Sequence, residues 1–347
     1  MSTTTLTNSQ SSVQEASVQL STLRTVADPR VLELIILPTE KCNFRCTYCY
    51  EDFNIGQMSS GLVNATKKLI ASRVNDLDAL SISWFGGEPT LALPVVLDIT
   101  STARLIFEQQ SKQFSSHMTT NAYLLNRETF LLLINAGVSS FQISLDGPAD
   151  VHNKTRLRAD GKATFDVLWS NLLQMASLAK NGCNNFKVRL RIHYDLNTAT
   201  ELPPLIDMIA KDLLPTGCFA VDFHQIEKLG GANDDTISLA SNIQHNIVRD
   251  LALKIKSNTP THQVLVAEDI ENYVCYASKA NSLILRADGR LAKCTVALND
   301  KRNDVGKLNL DGTIEVNNER FSPWIRGLFT GDADTLACPL HGMSAEK

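Results

Sequence analysis

Three thiols at one fixed spacing constrain this chain more than any other feature. Cys42, Cys46 and Cys49 fall in Cys42-Asn-Phe-Arg-Cys46-Thr-Tyr-Cys49, directly after the apolar run Leu32 to Leu37. With eight cysteines in 347 residues, that spacing arises by chance only roughly 0.004 times, so it reads as selected for chemistry. Thiols this close in a chain with no secretory signal point to metal and away from disulfides. An iron–sulfur cube normally takes four thiolates, so a loop offering three leaves one iron open to a small chelating ligand. The competing readings are a structural zinc completed by a distant fourth ligand and thiols that are merely buried.

The motif resembles the signature of the radical SAM superfamily, C-x3-C-x2-C with an aromatic, here Tyr48, before the last cysteine. The resemblance implies that Cys42, Cys46 and Cys49 hold a [4Fe–4S] cluster whose open iron chelates S-adenosylmethionine. It implies cleavage of the sulfonium to methionine and a 5′-deoxyadenosyl radical, fed by an external electron donor of flavodoxin or ferredoxin type. Such chemistry belongs to the cofactor, and the protein's part is to position and shield it. Composition agrees with an ordinary globular protein, 44% apolar and 20% charged. A net charge of −4 with dispersed Lys and Arg gives no footprint for nucleic acid. No apolar run of membrane-spanning length and no basic-then-apolar N-terminus stand out, so a cytoplasmic protein without a membrane partner is expected.

Residues 1–30 read as a polar, poorly ordered tail with one short helix around Val18 to Val26. A tail this short leaves no room for the winged-helix leader-binding module of many peptide-modifying radical enzymes. From Val31 the pattern becomes six βα units around a parallel sheet. Strands are expected at Leu32–Leu37, Ala79–Phe85, His117–Thr120, Ser139–Leu145, Phe186–Tyr194 and Phe219–Ile226. Helices are expected at Val63–Val74, Pro94–Lys112, Arg127–Ala136, Phe165–Lys180, Glu201–Leu213 and Ile237–Ser257, with Asn126 and Gly137 capping the third. The fold class is α/β, a partial (β/α)6 TIM-like barrel of radical SAM type over 31–258. Active-site groups then belong at the C-terminal strand ends.

Four further stretches fall at those ends. Gly86-Gly87-Glu88-Pro89, after the second strand, resembles the family's GGEP motif. That resemblance implies contact with the methionine amino group, with Glu88 as acceptor and the glycines allowing close backbone approach. Asn121 ends strand three, and Ser144 and Asp146 end strand four in Ser-Leu-Asp-Gly-Pro. The family places SAM-pocket residues at both positions, although Asp-Gly-Pro is also a plain turn. Arg189, Arg191 and His193 alternate on strand five and share one face. If that face is the barrel interior, Arg191 is placed to pair with the SAM carboxylate; if it is the outer face, these are solvated charges. His152, Asn153, Arg156 and Arg158 read either as peptide contacts over the barrel mouth or as a solvated loop. Cys183 and Cys218 have no partner at metal spacing and read as structural thiols.

Beyond 258 the alternation stops. Cys275 leads into Ser282–Arg286, Asp288-Gly289 and Leu291-Ala-Lys-Cys294, a hairpin that returns Cys294 toward Cys275. Cys338 follows in Leu336-Ala-Cys338-Pro339. Residues 259–347 thus resemble a small α+β SPASM or Twitch extension, though with three cysteines where a full SPASM domain has seven. This inventory supports at most one auxiliary Fe–S cluster, on Cys275, Cys294 and Cys338, with His341, water or substrate as fourth ligand. A structural cap with incidental thiols is the alternative.

The expected function is a radical SAM maturase of a ribosomally made precursor peptide. A side-chain cross-link of cyclophane type comes first, because such a bond needs a second electron transfer that an auxiliary cluster accepts. Peptide epimerisation and sulfatase-maturase-like oxidation are the alternatives. The sulfatase maturases carry seven cysteines and an Asp after the hairpin cysteine, where this chain has Thr295. A non-catalytic Fe–S sensor has no need of the GGEP-like stretch. No catalytic acid or base is assigned by sequence.

Overall fold

A computed structural model describes residues 26–257, 263–266 and 273–344. The expected polar tail therefore lies almost wholly outside the described residues. In chain order the core elements are β1 (Val31–Ile36), β2 (Phe44–Cys46), α1 (Ser60–Arg73), β3 (Ala79–Trp84), α2 (Leu93–Gln109), β4 (Gln113–Thr120), α3 (Arg127–Ala136) and β5 (Ser140–Leu145). There follow α4 (Ala149–Thr155), β6 (Arg156–Arg158), α5 (Phe165–Lys180), β7 (Lys187–Tyr194), α6 (Pro203–Asp212), β8 (Phe219–Gln225), α7 (Asn242–Lys256) and β9 (Val264–Val266). The C-terminal part adds β10 (Ser282–Leu285), β11 (Arg290–Ala292), β12 (Gly306–Leu308), β13 (Ile314–Val316) and the short helices α8 (Asn318–Phe321), α9 (Gly327–Thr330) and α10 (Ala333–Ala337).

Strands β1, β3, β4, β5, β7 and β8 lie side by side in that order, all parallel, each joined to the next through a helix. This is the expected six-unit α/β sheet. The third helix begins and ends where expected: the Asn126 side chain accepts from the Thr129 N–H, and Gly137 closes the last turn. β4 starts earlier than expected, at Gln113, because its polar opening Gln-Phe-Ser-Ser pairs in register with Ala79 to Ile82. Pairing with a neighbour overrides weak local pattern there.

Alternation within the strands sets two faces. Leu80, Ile82 and Trp84 of β3, Phe141, Ile143 and Leu145 of β5, and Val188, Leu190 and Ile192 of β7 are buried in the main core with the helices. One helical stretch, Pro89–Gln109, is long and apolar enough to cross a membrane by length and composition, with a mean hydropathy of 1.5. This corrects the expectation that none would be. Its Val95, Val96, Ile99, Ala103 and Phe107 are buried within that same core; a crossover helix on a parallel sheet reads as apolar for that reason.

The hairpin forms at Asp288-Gly289, but it extends the same sheet instead of making its own. β10 pairs parallel with β1, from Glu33↔Ser282 to Ile36↔Leu285, and β11, β12 and β13 follow antiparallel. A single eleven-stranded sheet thus carries both cysteine groups.

Candidate functional site

The loop after β1 carries the three thiols, and a two-stranded ladder pins it. β2 pairs with β6, setting Cys46 opposite Arg156, and the Thr47 N–H donates to the Thr155 carbonyl at 2.9 Å. Two N–H groups approach Cys42 Sγ: the Phe44 backbone at 3.3 Å and the Asn121 side chain at 3.9 Å. Burial raises all three thiols, Cys49 to about 12, although the Arg156 charge lowers Cys46 and Cys49. Half-buried neutral thiols set among N–H donors and a guanidinium fit a group that binds thiolate. Among the described residues no three His, Cys, Asp or Glu side chains converge on one ion-sized point. A cube needs no such point, since each thiolate meets a different iron.

The Gly-Gly turn packs on this loop. A Cβ at Gly86 would stand 2.4 Å from the Thr39 carbonyl, and one at Gly87 2.4 Å from that of Lys41, so only glycine permits the contact. The closest approach thus serves the cysteine loop itself. Glu88 anchors this turn. Its side chain is fully buried and accepts from Thr90 N and Oγ1 (3.0 and 2.5 Å), Thr120 Oγ1 (2.8 Å) and Asn121 N (2.8 Å). Three of those donors meet Oε1 and one meets Oε2, so the carboxylate caps the Pro89–Ala92 turn, ties the end of β3 to that of β4, and keeps an acceptor site on Oε2. Asn121 is engaged too: its amide donates to Asn43 Oδ1 at 2.8 Å, and its Oδ1 accepts from Tyr123 N at 3.0 Å. Its observed contacts hold the cysteine loop.

The Asp146 carboxylate is buried at the centre of a polar network. The hydroxyls of Tyr48 and Thr155 donate to it at 2.8 and 2.6 Å, and His193 Nδ1 lies 3.4 Å away. Burial alone would raise this carboxyl, but the His193 hydrogen bond and the Arg156 charge hold it well below the usual carboxylate range. Tyr48, expected at the cofactor, uses its hydroxyl here and also accepts from Arg156 Nη1 at 2.8 Å. Arg156 and His152 are buried, and the Asn153 side chain accepts from the N–H groups of Thr164 and Phe165. Arg158 donates to the Tyr123 hydroxyl and to Asp160. The stretch read as peptide contacts or a solvated loop is therefore the scaffold under the cysteine loop. Sequence reasoning missed this role of Arg156; the signal was a basic residue ending a short polar helix shortly after Asp146.

The open question about strand five has an answer. Val188, Leu190 and Ile192 face the helices, so Arg189, Arg191 and His193 face the other side. Register sets Ser144, Arg191 and Asp222 in one row and His193 beside His224 in the next. Arg191 Nε is buried without a hydrogen-bond partner. Burial holds His117 at about 4 and His224 at about 3, so both face that side neutral. Along β4, β5, β7 and β8 that face is thus polar, with Arg191 Nε unsatisfied near the C-terminal strand ends.

The late cysteines gather at the other edge. Cys275 N–H donates to the Leu336 carbonyl at 2.9 Å, which brings the Cys338 segment alongside. Asn303 shapes the Cys294 turn, accepting from the N–H groups of Lys293 and Cys294 and donating to the Cys294 and Ala297 carbonyls. Burial raises Cys275 and Cys294, and each sits in the field of Cys338. The His341 N–H closes a turn on the Cys338 carbonyl at 3.1 Å. The two cysteine groups are joined by one buried ion pair: Arg286 donates to both Glu40 oxygens at 3.0 and 2.6 Å and to the Leu298 carbonyl at 2.6 Å.

Residues 36–186 match the family described as the Radical SAM superfamily. Among curated proteins, the Fe-coproporphyrin III synthase of Methanosarcina barkeri is 25% identical over 183 residues, 52% of this chain and 41% of that protein. The PqqA peptide cyclase of Bradyrhizobium diazoefficiens is 27% identical over 129 residues, 37% of this chain and 32% of that one. The chain thus spans less than half the length of these relatives. A solved structure of native anSMEcpe with bound AdoMet superposes with a TM-score of 0.65 at 18% identity, covering 86% of this chain and 84% of that one. At that identity the likeness is one of fold.

Proposed function

We propose, from the premise that residues 36–186 give this chain a radical SAM domain, that it is an enzyme that matures a ribosomally made peptide by radical chemistry. The observation that carries the reading is the three-thiol loop at the C-terminal end of β1, with the Gly86-Gly87 turn docked on it. A [4Fe–4S] cluster with S-adenosylmethionine, held by Cys42, Cys46 and Cys49, would supply a 5′-deoxyadenosyl radical there. This chain's residues do the rest. Arg156 sets positive charge beside Cys46, Asn121 and Phe44 aim N–H groups at Cys42, and Glu88 Oε2, Ser144 and Arg191 are strand-end groups able to meet a ligand.

The peptide substrate is supported by the likeness to a peptide cyclase. A side-chain cross-link removes two hydrogens from the peptide, one as the abstracted atom and one as a proton and electron. Cys275, Cys294 and Cys338 are where the chain offers an acceptor for that electron, as ligands of a second Fe–S cluster. The test is anaerobic reconstitution with S-adenosylmethionine and dithionite. Wild type should form 5′-deoxyadenosine, and a peptide encoded beside its gene should lose the mass of two hydrogens. Formation of 5′-deoxyadenosine by the triple Cys→Ala variant at 42, 46 and 49 would refute the site, and an unchanged peptide mass would refute the cross-link.

A further inference from the structure

A cavity of about 270 Å³ lies between the two cysteine groups. It is walled by the chain just after Cys49, the chain just after Cys294, and Leu340 beyond Cys338, with Leu229 and Gly230 closing one side. Four carboxylates line it, Glu40, Glu51, Asp52 and Asp300, against one cation, Arg286. That cation is already spent on Glu40 and the Leu298 carbonyl. Asp300 is held by Arg302, and Asp52 accepts from Asn299 and from the Asn54 N–H. Glu51 alone is left, its Oε2 buried with no hydrogen-bond partner. A buried carboxylate lacking a partner is costly, and an entering cation that donates hydrogen bonds offsets that cost. The remaining wall includes Leu229, Leu298 and Leu340, which suits a methylene stem with a charged tip.

We propose that this cavity is a recognition pocket for a Lys or Arg side chain of the substrate peptide, with Glu51 as its charge partner. The assignment rests on the peptide reading above and adds the class of residue that the substrate presents. The pocket sits between the two thiol groups, so a peptide anchored there by one side chain lies across both. Glu51 acts in recognition and takes no part in hydrogen abstraction.

The test is direct binding to the reconstituted protein of three blocked tripeptides, Ac-Gly-Lys-Gly-NH2, Ac-Gly-Arg-Gly-NH2 and the norleucine counterpart, with free n-butylammonium as a fourth probe. Wild type should bind the Lys and Arg peptides at least about tenfold tighter than the norleucine peptide, as expected for a desolvated charge pair. Glu51→Gln should bring that margin within about twofold, while Asp288→Asn, on the exposed hairpin turn, should leave it intact. Equal binding of the norleucine peptide to wild type overturns the pocket, and this arm needs no variant to fold. A margin that survives in Glu51→Gln overturns the role of Glu51. Binding of n-butylammonium as tight as that of the peptides assigns the pocket to a free amine and overturns the peptide-anchor reading. Formation of 5′-deoxyadenosine by the same wild-type preparation is read separately. Its failure sinks the radical SAM reading, whereas a missing Lys margin with intact cleavage sinks only the pocket.

Discussion

The bridge between the two cysteine groups offers the sharpest energetic prediction. Arg286 and Glu40 are each 3% exposed and meet in a two-pronged pair at 3.0 and 2.6 Å. At such distances Coulomb attraction is about 6 kcal/mol with an effective dielectric of about 20, and desolvating two ions costs several kcal/mol each. The pair therefore contributes little net stability, while loss of one partner strands a buried charge at about 3–5 kcal/mol. Arg286→Met and Glu40→Leu should each show that loss; Arg286→Met also strips the Leu298 carbonyl of its donor. The double variant should cost at least about 2 kcal/mol less than the two singles together, because its second substitution removes the stranded charge. Unfolding entropy of about 2.1 cal/mol/K per residue converts each kcal/mol to about 1.4 °C for 347 residues. The single variants should thus melt about 4–7 °C below wild type in a scan of the metal-free chain. Strict additivity in the double variant would refute the argument, since it would mean that the two side chains do not interact.

Three further outcomes follow from the geometry. The reconstituted wild type should carry roughly eight irons and the Cys275/Cys294/Cys338 triple Ala variant roughly four, with 5′-deoxyadenosine formed by both; four in wild type would leave the late cysteines without a cluster. Glu88→Gln should lower the melting temperature as well as S-adenosylmethionine affinity, because the carboxylate anchors Thr90, Thr120 and Asn121; a change in affinity alone would refute the anchoring role. His152 is buried and its pKa is held at about 3. The unfolded chain binds that proton below about 6.5 and the folded one does not, so stability is full above pH 6.5 and falls toward pH 3 by about 1.4 kcal/mol per unit. His152→Gln should flatten the slope between pH 6 and 4, which urea midpoints at several pH values would show.

The sheet was legible because its strands are short apolar runs separated by amphipathic helices, and the thiol loop because three cysteines at one spacing leave little choice of chemistry. What the side chains at the strand ends do was not legible. Glu88, Asn121 and Asp146 have the residue types of ligand contacts, and each also anchors its strand end, a role that residue type alone does not reveal. Arg156 and Glu40 were missed because their partners lie far along the chain, across a ladder or a neighbouring strand. The membrane-length apolar stretch was missed because buried crossover helices and membrane spans share a composition.

The strand that begins the sheet finds its second neighbour only near the end of the chain, since β1 pairs with β10 through Glu33↔Ser282. During synthesis the free edge of β1, carrying Ile35 and Ile36, stands open until the hairpin has left the ribosome. Open apolar edges recruit other chains, and pairings this distant in sequence form late and slowly. Expression yield should therefore depend on the hairpin, with variants that weaken Ser282–Leu285 lost as aggregate during translation even where the finished fold would tolerate them.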